Sequence, residues 1–128
     1  MKRLILDIDV LLIKEAQRMI NARYKEGYHH IGAALRTKSG KIFSAVHLEA
    51  NVGRIAVCAE AITIGMAAAA GDTEIDTIVA VNRNGDVVSP CGMCRELISD
   101  YSRDAWVIMS GDEEHYKCHI LELLPEKY

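Results

Sequence analysis

The chain has 128 residues, of which half are apolar and 26% are charged, and its formal net charge is −3. This length predicts one globular domain over residues 1–128, and the acidic balance without a basic cluster argues against a nucleic-acid partner. Asp7 and Asp9 interrupt the apolar start of the chain, so we expect neither a signal peptide nor a membrane span.

The first half of the chain begins with a helical pattern. Apolar residues recur at three- and four-residue steps from residue 9 to about residue 25, and Gly27 ends the predicted helix. Residues 31–35 and 41–48 predict two strands, joined by a hairpin turn at residues 38–40.

An alanine-rich second helix is predicted over residues 57–70, and Gly71 stops it. Gly65 inside this helix costs about 1 kcal/mol relative to alanine, so we expect a close packing contact there. A third helix is predicted from Ser89, as its N-cap, and Pro90, as its first residue, to about Tyr101.

Three further runs predict buried strands: residues 75–81, residues 105–109 and, as a candidate fifth strand, residues 116–118. A short helix ending at Pro125 completes the pattern. The order of these elements predicts an α/β fold, a three-layer α-β-α sandwich around one mixed five-stranded sheet.

Two cysteine motifs fall at predicted helix starts, Cys58-Ala59-Glu60 and Pro90-Cys91-Gly92-Met93-Cys94. Thiols at helix N-termini ionise more easily, and three of them are one ligand short of a closed tetrahedral zinc site. Cys58, Cys91 and Cys94 therefore predict one catalytic Zn²⁺ with a position left for water, whose pKa the metal brings to roughly 7. Glu60 is then placed to move the protons of that water, provided that it lies in the first turn of its helix. Arg95 or Arg54 would offset the negative charge of the thiolates.

Each of these residues also has a simpler interpretation. Cys91 and Cys94 alone could form a redox dithiol, and Cys58 could be a buried apolar residue. Glu60 could be a carboxylate that the helix dipole stabilises near the N-terminus. A closed structural zinc site would need Cys118 or a histidine as fourth ligand, although Cys118 is better explained as a core thiol. Arg95 could equally be a surface arginine. Only the combination of these residues favours a catalytic site. Cysteines spaced as metal ligands also predict a reducing environment and therefore a cytoplasmic location.

The chain resembles the small homotetrameric cytidine deaminase family, including its blasticidin-S deaminase relatives, along nearly its whole length. Four segments carry the resemblance: residues 31–35, Cys58-Ala59-Glu60, residues 89–95 and Leu123-Leu124-Pro125. The resemblance implies one zinc per subunit and active sites completed by neighbouring subunits. It also implies that zinc-activated hydroxide attacks C4 of a cytosine ring, while Glu60 carries protons to N3 and to the departing ammonia.

The resemblance also indicates which residues contact the rest of a nucleoside-like substrate. His47-Leu48-Glu49 stands where the family usually carries Asn-x-Glu to hold the ribose, so His47 and Glu49 are predicted to bind substrate. Tyr128 matches an aromatic residue that covers a neighbouring subunit's site. Ala61 replaces a family arginine that blasticidin-S deaminases also lack. The sequence thus predicts a cytosine nucleoside deaminase; the alternatives are a deaminase of a cytosine antibiotic and a non-catalytic zinc-stabilised interaction module.

Overall fold

A computed structural model describes residues 1–128, apart from the side chain of Arg54. The α-helices are α1 (Asp7–Arg23), α2 (Ala59–Ala69) and α3 (Gly92–Tyr101), and short 3-10 helices span Val52–Arg54 and Ile120–Leu123. The strands are β1 (Arg3–Leu4), β2 (Gly32–Thr37), β3 (Ile42–Val46), β4 (Leu48–Glu49), β5 (Ala56–Val57), β6 (Ile75–Val81), β7 (Val87–Val88), β8 (Trp106–Ser110) and β9 (His115–His119). Within this description no helix combines the length and apolarity needed to cross a bilayer.

The central sheet is mixed, as the sequence predicts. Its order is β1-β9-β8-β6-β2-β3, with β7 paired to β6. The β6–β8 pair is parallel and the other pairs are antiparallel. The five predicted strands are all present, and β1 and β7 extend the sheet to seven strands. Two residues are too few to produce a periodic pattern, so these additions could not be read from the sequence.

The sheet separates two apolar layers because successive residues of a strand point to opposite faces. Helix α1 covers one face, where the buried residues include Leu12, Ala16, Ile20, Ala34 and Val79. Helices α2 and α3 cover the other face, where the buried residues include Leu35, Ile64, Ile78, Ile98 and Val107. The three-layer sandwich is therefore confirmed.

Gly32 allows α1 to lie very close to the sheet. A Cβ atom built on Gly32 would lie 2.6 Å from the carbonyl oxygen of Ala16 and 3.0 Å from Cβ of Ile20. Any larger residue would push α1 away from β2, and the next residues of β2 would lose their packing.

All three helix starts differ from the prediction; α1 begins at Asp7 rather than residue 9, and the differences at α2 and α3 bear on the cysteines. Helix α2 begins at Ala59 rather than residue 57, because Ala56–Val57 pairs with Leu48–Glu49 as a separate ribbon. The N-cap of α3 is Cys91 rather than Ser89, because Cys91 is still extended (φ −69°, ψ 169°) and its carbonyl accepts the N–H of Arg95. The corrections at α2 and α3 place a cysteine directly before each of these helices.

The contact expected at Gly65 is not made within the described part of this chain. No atom lies within 4 Å of a Cβ built on Gly65, which is exposed on α2 together with Ala68 and Ala69. Gly65 therefore leaves an open strip of small residues on the surface of α2.

A buried carboxylate joins α1 to the sheet. Asp9 is fully buried; its Oδ1 accepts a hydrogen bond from Arg36 (3.0 Å) and its Oδ2 accepts one from Lys117 (3.0 Å). Burial raises the pKa of Asp9, but hydrogen bonds from the Leu6 N–H, Lys117 and Arg36 outweigh it, so its pKa lies below the ordinary value.

Candidate metal centre and active-site cavity

Two helix N-termini bring three thiols together. Cys58 is the N-cap of α2, Cys91 is the N-cap of α3, and Cys94 lies in the first turn of α3. The sulfur atoms of Cys58 and Cys91 are 3.4 Å apart, and all three sulfurs lie within 4.8 Å of one another. Among the residues that the structure describes, the candidate ligand cluster consists of these three thiols.

The helix end favours the thiolate form of one of these cysteines. Burial raises the pKa of Cys91, but backbone N–H donors of Cys94 and Met93, together with the thiols of Cys58 and Cys94, lower it overall. This agrees with the expectation that a helix N-terminus stabilises a thiolate.

The other two thiols are held in their neutral form unless a cation is present. Burial raises the pKa of the Cys58 thiol, and a hydrogen bond with the Cys91 sulfur raises it further. Burial, followed by the charge of Glu60, raises the pKa of Cys94. Several like charges in a buried space need a cation to balance them. Three thiol sulfurs within 4.8 Å of one another fit the ligand chemistry of Zn²⁺, with a fourth position left over.

A cavity of about 320 Å³ opens beside the sulfurs. Its lining contains Cys58, Glu60 and Cys91 together with His47. Glu60 is only 6% exposed, and this burial raises the pKa of its carboxyl group. A carboxyl group whose pKa is shifted toward neutrality is suited to accept and return protons near pH 7.

The rest of the cavity lining is largely apolar, and half of it comes from residues that the sequence did not point to. The remaining lining residues are Ile31, Ala56, Val57, Ala59, Val88 and Ser89. They lie within or next to β2, β5 and β7 and at the first residue of α2, which are separate in the chain. Ile31, Ala59 and Ser89 belong to segments that supported the resemblance, whereas only the tertiary structure identifies Ala56, Val57 and Val88 as part of this wall.

His47 lines the cavity, but both of its ring nitrogens contact protein groups. Nδ1 accepts the backbone N–H groups of His30 (2.8 Å) and Ile31 (3.2 Å), and Nε2 lies 3.2 Å from Oε1 of Glu49. Glu49 lines a neighbouring cleft of about 420 Å³ together with Gly27, Tyr28, Ala50 and Asn51. The two predicted substrate-binding residues therefore lie side by side at the boundary between two cavities.

Arg95 contacts backbone carbonyls. Its Nε donates to the carbonyl of Pro90 (2.9 Å) and its Nη1 to the carbonyl of Leu123 (3.2 Å). Arg95 thus joins the segment before Cys91 to the C-terminal 3-10 helix. The side chain of Arg54, the other predicted source of positive charge, lies outside the described residues.

The remaining two candidates lie apart from the sulfur cluster. Cys118 is buried on β9 in the core that α2 and α3 cover, as its interpretation as a core thiol predicts. Tyr128 is fully exposed at the surface of the isolated chain. The closed site with Cys118 as fourth ligand is absent from the part of the chain that the structure describes.

The fold and the site define an α/β protein with a three-thiol metal centre that opens into a small cavity. Residues 7–110 match the family model described as the cytidine and deoxycytidylate deaminase zinc-binding region. The chain belongs to this family of zinc-binding hydrolytic deaminases.

Individual relatives agree with this assignment. Blasticidin-S deaminase of Bacillus cereus is 50% identical over an alignment of 128 positions that covers 94% of this chain and 91% of that protein. A probable cytidine deaminase of Dictyostelium discoideum is 33% identical over 101 positions, covering 77% of this chain and 69% of that protein. The crystal structure of cytidine deaminase from Mycobacterium leprae superposes with a TM-score of 0.79 at 25% identity, covering 95% of this chain and all of that one.

Proposed function

We propose that this chain releases ammonia by hydrolysis from the C4 amino group of a cytosine ring carried on a nucleoside-like molecule. One observation carries the proposal: three thiols cluster at two helix starts, and two of them, Cys58 and Cys91, line a single cavity together with the buried carboxyl group of Glu60. Metal ligands and a proton carrier in one small, largely apolar space are the combination that hydrolytic deamination requires.

Each of these groups has a separate role in the proposed reaction. Cys58, Cys91 and Cys94 hold the metal. When bound, zinc lowers the pKa of a water molecule and so supplies a nucleophile at neutral pH. Glu60 takes a proton from the attacking water and gives it to N3 of the ring. It then carries the second proton to the C4 amino nitrogen, which leaves as ammonia while C4 becomes a carbonyl carbon.

The cavity walls favour a small flat ring. Ile31, Val57 and Val88 come from three different segments and surround the space next to Glu60. Apolar contacts on a pyrimidine and exclusion of bulk water strengthen the electrostatic interactions of Glu60 with the reacting atoms. The net charge of −3 favours a free small molecule over a polynucleotide.

Two substrates of this class are candidates. Cytidine and deoxycytidine are favoured by the likeness to cytidine deaminases along most of the chain. Blasticidin S is favoured by the 50% identity to a protein named for its deamination, and by Ala61 in place of the family arginine. Both substrates present the C4 amino group of a cytosine ring to the same residues.

We further propose that residues 1–128 form one domain and that four copies assemble in the cytoplasm with shared active sites. Tyr128 is exposed and available to reach a neighbouring copy. Apolar side chains are also exposed near the cavity; they are Leu48, Val52, Ile55 and Val57. The open strip at Gly65 on α2 offers a second surface for close packing.

Arg95 is proposed to act on the charge of the metal centre through its hydrogen bond to the Pro90 carbonyl.

The test is ammonia release by the purified zinc-loaded protein from cytidine, deoxycytidine, cytosine, blasticidin S and guanine. We expect release from at least one cytosine nucleoside or from blasticidin S, and none from guanine. A Glu60→Gln variant with the same zinc content serves as the control. Equal release by this variant, or no release from any cytosine compound, contradicts the proposal.

A further inference from the structure

We infer that His47 is a positioning residue, which in its neutral tautomer holds Glu49 at the edge of the cavity and does not itself hydrogen-bond to the substrate. The inference rests on the proposed function in one respect, that Glu49 contacts the part of the substrate outside the ring. It differs from the sequence prediction that His47 and Glu49 both bind substrate.

The protonation state of His47 follows from its neighbours. A backbone N–H is always a donor, so Nδ1, which accepts from His30 at 2.8 Å and Ile31 at 3.2 Å, carries no proton. The single proton of the neutral ring is therefore on Nε2. This N–H points to Oε1 of Glu49 at 3.2 Å and donates to it.

His47 is buried, and both its side chain and its backbone are hydrogen-bonded within the protein. It is 7% exposed, its carbonyl oxygen lies 2.8 Å from Nδ1 of His29, and its backbone N–H donates to the carbonyl of Ile31 (3.0 Å). With both ring nitrogens in use, the side chain of His47 has no hydrogen-bonding group left for a ligand.

Glu49, in contrast to His47, is partly exposed to solvent. Its side chain is 40% exposed, and Oε1 receives the bond from His47 while the carboxylate faces the neighbouring cleft beside Tyr28 and Asn51. A free glutamate side chain samples many rotamers, and one fixed hydrogen bond removes much of that freedom. His47 thus presents Glu49 to hydroxyl or amine donors of a molecule that extends out of the ring cavity.

Two substitutions separate the contacts of Nδ1 from the contact of Nε2 in the His47 ring. His47→Asn keeps an acceptor near the position of Nδ1, so that the bonds from His30 and Ile31 persist, but it loses the donor to Glu49. His47→Gln places an amide donor near the position of Nε2 and loses the backbone acceptor. If His47 acts through Glu49, His47→Asn raises KM about fivefold, with kcat within about twofold of the unmodified protein. The KM of His47→Gln should then lie close to that of the unmodified protein.

A double-mutant cycle gives the decisive measurement. We expect Glu49→Gln to raise KM by about the same factor as His47→Asn, and the double variant to be no worse than Glu49→Gln alone. The inference is overturned if the effects of the two substitutions on KM multiply in the double variant, or if His47→Asn leaves KM unchanged. His115→Asn is the matched control on β9, and zinc content and melting temperature show that each variant folds.

Nitrogen-15 NMR of the imidazole rings tests the same arrangement without a substrate. The zinc-loaded protein should show the His47 ring as the neutral Nε2–H tautomer, with an Nε2–H proton signal that moves in Glu49→Gln and stays in Glu96→Gln. A different tautomer, or a signal that ignores Glu49→Gln, overturns the inference whatever the substrate. Absence of deamination with the expected NMR result contradicts the proposed function alone.

Discussion

Cys58 and Cys91 are 33 positions apart in the chain, and their sulfur atoms lie 3.4 Å apart, each directly before a helix. The relationship depends on α2 and α3 packing on the same face of the sheet with their N-termini converging. Backbone N–H groups of Met93 and Cys94 donate to the Cys91 sulfur, and the field at each helix start favours negative charge there. The metal centre is thus a consequence of how two helices pack.

The first prediction concerns the metal. The purified protein should hold about one zinc per chain, and Cys91→Ala should lose it and unfold at a lower temperature, because metal binding contributes to folding free energy. Cys118→Ser is the matched control, since Cys118 lies in the core away from the sulfur cluster. Zinc counted by atomic absorption, with a melting curve for each variant, provides the measurement. A Cys91→Ala protein with full zinc content would show that the ligands are different.

The second prediction concerns Glu60. Glu60→Gln keeps the size and polarity of the side chain but removes the proton carrier, so deamination should fall by about 10²–10⁴-fold. Zinc content should stay at the level of the unmodified protein, because the carboxyl group lies outside the three-thiol cluster. Turnover on the preferred substrate, measured beside zinc content, checks both statements. An undiminished rate would mean that another group moves the protons.

The third prediction concerns the buried carboxylate on the other face of the sheet. Asp9→Asn leaves Lys117 and Arg36 without their buried anion and should lower the free energy of unfolding by about 3 kcal/mol. Asp76→Asn is the control, because Asp76 binds the same Arg36 but is 39% exposed and should cost less than about 1 kcal/mol. Urea unfolding of the two variants makes the comparison. Equal losses would show that burial does not set the strength of these bonds.

The same carboxylate predicts how stability depends on pH. The pKa of Asp9 in the folded protein lies below the unfolded value of about 3.9, so its stabilisation is fully present above that value. The stabilisation is lost as the pH falls through the folded-state pKa. Between pH 6 and pH 3, unfolding free energy should therefore fall less steeply in Asp9→Asn than in the unmodified protein. Parallel curves for the two proteins would contradict this assignment.

The fourth prediction concerns assembly. If Tyr128 reaches a neighbouring copy, its deletion should reduce deamination while metal content is unchanged, and the full chain should sediment as a tetramer. Tyr101→Ala is a control for the loss of an exposed aromatic ring elsewhere. Sedimentation velocity and turnover of the same samples give the two readouts. A monomeric full chain, or full activity without Tyr128, would remove the proposed shared site.

Much of this protein is determined locally and can be read from the sequence. The five long strands, the three helices and the candidate ligand residues Cys58, Cys91 and Cys94 follow from periodicity and from thiol spacing at predicted helix starts. These features depend on near neighbours in the chain, and their signals lie within a few residues. The signature around Glu60 belongs to the same kind of information.

Only the tertiary structure decided how these parts meet. The two-residue strands β5 and β7 have no pattern of their own, yet β5 shifts the start of α2 to Ala59, and both supply walls of the cavity. His47 illustrates the same limit, because its tautomer depends on N–H groups of His30 and Ile31 that pairing of distant segments brings to it. Such contacts are fixed by the packing of the whole sheet, and no short stretch of sequence records them.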